Sequence, residues 1–390
     1  MIKMQRIEKM LYGVVIAMIL GVLFIATKLD TYAMGNGISV KGDNNRFNPR
    51  VDLAVNDFKL EAEYVEEWLR ANGYGQHNVV NPRKVYSVND KYIGIYYDID
   101  NDGYVILNTI NYDIMEFSLE TRLVDRSTRK LVYAGPLSVF DKIDDCRYYL
   151  LNAKETVLLQ NIDSGFVDFD KMAKKSLSQK MYIFDKEKSK YNVMANGGNP
   201  YETGSLKKSL APWDTEYACM VDSAAIILRY LYLNVSSSFL PSGYTTMRNA
   251  QKYLCDYRYM VNVGMTSGQA VNGGAVYRRY HDSFLEEIVN TGMNQYLKDR
   301  GLRNWSATNS SYSFNTIKTQ INADRPVEIG LNGDNVGHPN WGDHAVVVHG
   351  YMIGYAGDKF LYINDTFGHN GIIINGDAYL YTSYGMWYIH

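Results

Sequence analysis

Cysteine is scarce in this chain. Three cysteines in 390 residues are too few and too scattered for a disulfide framework or a structural zinc site. A dominant charge is missing as well. Lys and Arg number 40 against 42 Asp and Glu, a net charge of −2, so the basic footprint that phosphate binding needs is absent. No nucleic-acid partner is expected. Proline is limited to 8 residues, while tyrosine reaches 34, a level that suits half-exposed sheet surfaces. What the chain has in quantity is apolar residues, 46% against 21% charged, enough to fill the cores of two or three domains.

Residues 1–33 read as an export segment. Lys3, Arg6 and Lys9 give a basic start, Leu11 to Thr27 is an uncharged run of 17 residues, and Thr31-Tyr32-Ala33 offers a small-residue cleavage site. The run is at the short end for a bilayer span, so a cleaved signal peptide is favoured over a membrane anchor. Either way the rest of the chain is expected outside the cytoplasm, secreted or anchored to the outer face of the membrane through residues 11–27. Residues 34–83 read as a linker and an amphipathic helix over 57–71. Leu60, Tyr64 and Leu69 are its apolar side, and Asn72-Gly73 ends it. Residues 84–195 break into short strand-like runs. Asp98, Asp100, Asp102 and Gly103 imitate the start of a calcium loop, but Thr109 stands where a bidentate Glu is required, and a hairpin turn explains the stretch better. Residues 196–208, polar and glycine-bearing, read as a linker and a possible processing site.

Residues 209–390 read as helices followed by an antiparallel sheet, an α+β layout. Cys219 stands where an irregular stretch turns into an apolar helix. Ala224, Ile227, Leu228 and Leu231 mark the buried stripe of that helix. Backbone N–H groups and the positive end of the dipole at a helix start both favour thiolate, the nucleophilic form. Six of the seven histidines follow residue 209. His344 opens the run His344-Ala-Val-Val-Val-His-Gly-Tyr351, at a strand mouth where a site can open, whereas His349 falls at its far end. A third group must fix the imidazole, and the next strand ends in Asn364-Asp365. No metal and no cofactor is expected, because the spacing of His338, His344 and His349 matches no ligand pattern.

These blocks carry a resemblance. Cys219-Met-Val-Asp-Ser-Ala-Ala-Ile-Ile-Leu-Arg-Tyr230, Arg325-Pro-Val327, His344–Tyr351 and Ile363-Asn-Asp-Thr-Phe-Gly368 occur in order over residues 209–390. The chain resembles the papain-like cysteine peptidases of bacteria, in particular the secreted double-glycine-peptidase-like and streptopain-like groups. The resemblance implies a papain-like domain preceded by a smaller β-rich prodomain at 84–195, and a Gram-positive source. It implies a proenzyme that cleaves peptide bonds through a thioester, with its own prodomain as inhibitor and a peptide or protein as substrate. Cys219 is then the nucleophile, His344 the base and Asp365 the orienting group, with Asn364 as the alternative. Two departures from the pattern stand out. Met220-Val221 replaces the usual Gly-Pro, and the usual glutamine about six residues before the cysteine is missing, which leaves Trp213 as the oxyanion candidate. Two other readings therefore stay open: an inactive binding or structural protein on the same scaffold, and an acyl transferase with the same triad.

Overall fold

Runs rich in β-branched and aromatic residues bury one or both faces only by pairing, and here they pair into a single mixed sheet. The computed structural model describes residues 58–100, 102–125, 128–152, 154–159, 162, 169, 172–194, 202–210, 219–256, 259, 292–332, 344–354, 357–377 and 382–390. The expected export segment at 1–33 lies outside them, as does Trp213. Ala54–His390 forms one compact unit. Upstream strands are β1 (Val79–Tyr86), β2 (Tyr92–Ile99), β3 (Gly103–Asn108), β4 (Ile114–Ser118), β5 (Leu131–Gly135), β6 (Ser138–Lys142), β7 (Arg147–Leu150) and β8 (Glu155–Leu158). Downstream strands are β9 (Glu202–Ser205), β10 (Ala307–Ser310), β11 (Val327–Asn332), β12 (His344–Ile353), β13 (Lys359–Asn364), β14 (Ile372–Asn375) and β15 (Thr382–Ile389). The helices are α1 (Lys59–Ala71), α2 (Leu177–Met194), α3 (Cys219–Asn234), α4 (Met247–Asp256), α5 (Asn294–Asp299) and α6 (Phe314–Asn322). This is an α+β architecture.

The sheet runs β10-β15-β11-β12-β13-β14-β4-β3-β2-β1-β5-β6-β7-β8, with β9 added on β12. Its neighbours are antiparallel apart from β1 and β5. The two segments expected as separate domains, 84–195 and 209–390, share this sheet. They meet where Ile372 and Ile374 of β14 pair with Ser118 and Glu116 of β4. The main apolar core also crosses between them, since Tyr104, Met115 and Leu137 belong to the same cluster as Met220, Ile329 and Val346.

Three details depart from the reading of the sequence. Leu60, expected on the buried side of α1, is 62% exposed, and Tyr64, Val65, Trp68 and Leu69 do the burying. Trp68 packs edge-on against Phe117 and Phe360 at 5.5 and 5.2 Å, which ties α1 to both halves of the sheet. The region 84–195 also holds an 18-residue helix, α2, among its strands. Its buried Lys180 meets Asp113 before β4 and Asp358 before β13, the latter at 3.3 Å. Burial alone would lower the Lys180 pKa, but the Asp358 and Asp113 charges outweigh it and the pKa ends raised. Finally, part of the expected linker at 196–208 is strand β9, whose residues pair with Gly350–Ile353 of β12.

Glu116 is a fully buried acid at the junction. Tyr104 Oη donates to its Oε1 at 2.5 Å, and the Leu137 N–H donates to Oε2 at 2.8 Å. Burial pushes its pKa up to about 7, and the two hydrogen bonds hold it down only in part. A carboxyl whose pKa is raised on folding stabilises the fold fully at low pH. That contribution is lost as pH rises from the unfolded value near 4.5 through about 7. The difference amounts to about 3 kcal/mol. Glu116→Gln keeps the shape without the ionisation. It is expected to match the wild type at pH 5 and to exceed it by that amount at pH 8, as read from denaturant unfolding at the two pH values.

Candidate active site

The nucleophile candidate owes its position to α3. Cys219 is the first residue of the helix, a thiol outside any disulfide and only partly buried. Ala224, Ala225, Ile227, Leu228 and Leu231 have no exposed surface, so the expected stripe is a helix buried on nearly all sides. That burial fixes the helix axis and, with it, the place of the sulfur. Asp222 in the first turn complements the dipole and accepts from Gln251 Nε2 of α4 at 2.5 Å.

His344 is the first residue of β12, with Leu331 of β11 as its register partner. Behind it Ala345, Val346, Val347 and Val348 are fully buried, which anchors the strand. α3 packs on β12 and β11, so the cysteine helix and the histidine strand are direct neighbours. His344 Nε2 lies 2.6 Å from the main-chain oxygen of Asp365 and 3.2 Å from Thr366 Oγ1. Its ring stacks on Phe367 at 4.4 Å, with 2° between the planes. A carbonyl oxygen can only accept, so Nε2 carries the hydrogen in the neutral ring. Nδ1 then keeps the lone pair and is the basic nitrogen. Burial pushes the imidazole below its usual 6.5, and the Asp365 carbonyl bond and the Asp365 and Asp222 charges offset this only in part. At neutral pH the ring is therefore uncharged and able to accept a proton.

The residues after β13 hold that ring by a route other than the one expected. Asn364, Asp365 and Thr366 are fully buried. Asp365 Oδ1 accepts from the N–H groups of Phe367 and His369, both at 2.9 Å, and Oδ2 meets His369 Nδ1 at 2.6 Å. The carboxylate thus braces its own turn and orients His369, while the main-chain carbonyl of Asp365 faces His344. Asn364 Oδ1 accepts from the Thr366 N–H at 3.0 Å, and its Nδ2 donates to Asn370 Oδ1 at 3.3 Å. Both side chains proposed to orient His344 are engaged within the turn. The cause is local geometry. Thr366 has φ 57°, a left-handed conformation that a β-branched residue adopts only under constraint. Asn364 and Asp365 supply that constraint, and the bend aims the 365 carbonyl and the Thr366 hydroxyl at one nitrogen. Thr366, Phe367 and His369 were missed in the sequence. The Asn-Asp-Thr-Phe-Gly run after a strand is a turn signal that points to them. His349, midway along β12, donates from Nε2 to the Asn370 carbonyl at 2.9 Å, a structural contact. Among the described residues no cluster could hold a metal ion.

Residues 204–382 match the model of the Peptidase_C39 like family. No curated protein sequence matches the chain. Among solved structures it is similar to a fragment of prointerpain A from Prevotella intermedia, at 12% sequence identity and a TM-score of 0.32, over 80% of this chain and 98% of that one. At that likeness the family match is what counts, and it supports a cysteine peptidase hydrolase. The turn geometry has a measurable consequence. Asp365→Asn keeps the main-chain carbonyl but weakens a buried acceptor of three hydrogen bonds. It is expected to lower stability by about 2–3 kcal/mol in denaturant unfolding, whereas Asn364→Ala, which also loses the Thr366 N–H bond, is expected to cost about 1–2 kcal/mol.

Proposed function

We propose that the chain is an exported, papain-like cysteine peptidase made as a proenzyme, with Cys219 as nucleophile and His344 as base. The observation that carries this reading is the His344 tautomer. Its Nε2–H is tied to the Asp365 carbonyl, which leaves Nδ1 as the acceptor, on a strand packed against the helix that Cys219 opens. Nδ1 takes the thiol proton as the sulfur attacks the substrate carbonyl. The tetrahedral oxyanion is met by the Cys219 N–H and by a second donor, for which Trp213 remains the candidate. Collapse expels the amine, which leaves with the proton from Nδ1. Water then attacks the thioester, giving its proton to Nδ1, and the thiol is restored as the acid product departs. Thr366, the Asp365 carbonyl and the Phe367 ring keep the imidazole in one orientation throughout.

Residues 34 to about 201 serve as the prosegment in this reading, and the sheet and core shared across β4 and β14 support it. The processing cut is proposed at 196–201, because β9 starts at Glu202 and is held on β12. One observation favours the rival reading, a non-catalytic scaffold: the Asp365 carboxylate faces His369 and not His344.

Labelling with a papain-directed epoxide separates the two. Cys219 is expected to react in preference to Cys146 and Cys255, and His344→Ala to abolish the preference. Equal labelling of all three cysteines would sink the peptidase reading. Cys219→Ala is expected to abolish peptide hydrolysis, and His344→Ala to lower kcat/KM by about 10²–10⁴. The buried, uncharged His344 also sets the acid limb. Only the unprotonated ring accepts the thiol proton, and its pKa lies below 6.5. Hydrolysis is therefore expected to hold as pH falls through 6.5 and to decline only below it.

A further inference from the structure

The groups set against the His344 ring come from three consecutive residues: the Asp365 carbonyl, the Thr366 hydroxyl and the Phe367 ring. All three lie inside one loop, and His369 closes it. The Asp365 N–H donates to the His369 carbonyl at 3.0 Å. The His369 N–H donates back to Asp365 Oδ1 at 2.9 Å, and the His369 ring meets Oδ2 through Nδ1 at 2.6 Å. A carboxylate only accepts, so Nδ1 carries the hydrogen of that bond. The far side of the loop is fixed in turn. Asn370 Nδ2 donates to the Leu210 carbonyl at 3.0 Å, and the Asn370 carbonyl accepts from His349 on β12. A clasp onto residue 369 is therefore a clasp onto the body of the sheet. The loop needs one, because Thr366 at φ 57° and Gly368 at φ 103° are both left-handed. Such a conformation in a threonine persists only where its surroundings over-determine it.

We propose that His369 is a positioning residue for His344: its Nδ1–H holds the Asp365 carboxylate, and through it the Asp365 carbonyl that selects the His344 tautomer. The proposal rests on the reading of His344 as the base. Asp365 stands between two imidazoles, its side chain on one and its main chain on the other. The two main-chain bonds between residues 365 and 369 can form whatever side chain stands at 369. What the histidine adds is the Nδ1–H bond, made to a carboxylate with no exposed surface. Hydrogen bonds to an ionised acceptor are about twice as strong as neutral ones, and low-dielectric surroundings strengthen them further. With that bond in place the carboxylate cannot swing, so the residue that carries it keeps its carbonyl on Nε2 of His344.

The test reads the His344 tautomer directly, by nitrogen NMR of the full chain labelled in its histidine rings, at neutral pH. In the wild type His344 is expected in the Nε2–H form and His369 with its hydrogen on Nδ1. His369→Leu removes the donor, and because the ring is 27% exposed the change opens no large cavity in the core. It is expected to spread His344 over both tautomers and to lower kcat for peptide hydrolysis by about 10–100-fold, with KM little changed. His369→Asn, whose Nδ2 can stand where Nδ1 stood, is expected to restore the Nε2–H form and most of kcat. His369→Gln, whose amide lies one bond farther out, is expected to restore neither. A merely structural histidine would lower the melting temperature in the Leu and Gln variants and leave the tautomer below it unchanged. A His344 tautomer unmoved in both of them would overturn the proposal, as would one that asparagine does not restore, and hydrolysis that depends on Cys219 would still stand. A wild-type chain that hydrolyses peptides equally well as Cys219→Ala would overturn the reading of His344 as base and this proposal with it.

Discussion

The hydrogen bond between His344 and the main-chain carbonyl of Asp365 is the contact on which the site depends. It chooses the tautomer, and the tautomer decides which nitrogen can work as a base. A main-chain acceptor cannot rotate away as a side chain can. Its position is set by the bend at Thr366, and that bend is held by the Asn364 and Asp365 side chains. The polar residues at the end of β13 therefore act one step removed from the imidazole. Their work is conformational, and the main chain delivers the result.

This explains what was legible in the sequence and what was not. Cys219 and His344 stand at the first residues of long apolar elements, and the shift from irregular to periodic sequence marks both. The pairing of Asn364-Asp365 with His344 was legible as adjacency only. Which of their atoms meets the ring depends on one positive φ at Thr366, and no propensity encodes that for a threonine. Strand β9 was invisible for a different reason. Glu-Thr-Gly-Ser has no apolar alternation and becomes a strand because β12 offers it a partner. The burial of Glu328 was hidden by the opposite effect. Within Val-Glu-Ile-Gly-Leu it alternates as a solvent-facing residue would, yet both faces of β11 are covered.

The two halves of the chain are bound by more than one kind of contact. Trp68 reaches across to Phe360, Lys180 is clasped between Asp113 and Asp358, and the main core mixes residues from both sides. Of these, the buried ion cluster gives the least net stabilisation when intact and imposes the largest penalty when one partner is lost. The apolar contacts supply the attraction, and the Lys180 cluster makes partial separation costly. Glu116 adds a dependence on acidity at the same seam, since its carboxyl changes ionisation near pH 7 inside the shared sheet.

The pairing of β4 with β14 has a consequence for solubility. Take the upstream strands away and β14, Ile372-Ile-Ile-Asn375, becomes an edge with its main-chain groups unpaired. It carries no charge, no proline and no bulge, and three consecutive isoleucines make it a template for any strand that arrives. A downstream half on its own would therefore have to keep that edge covered. Any cut that frees the upstream strands must leave β14 a replacement strand, or leave β4 where it is.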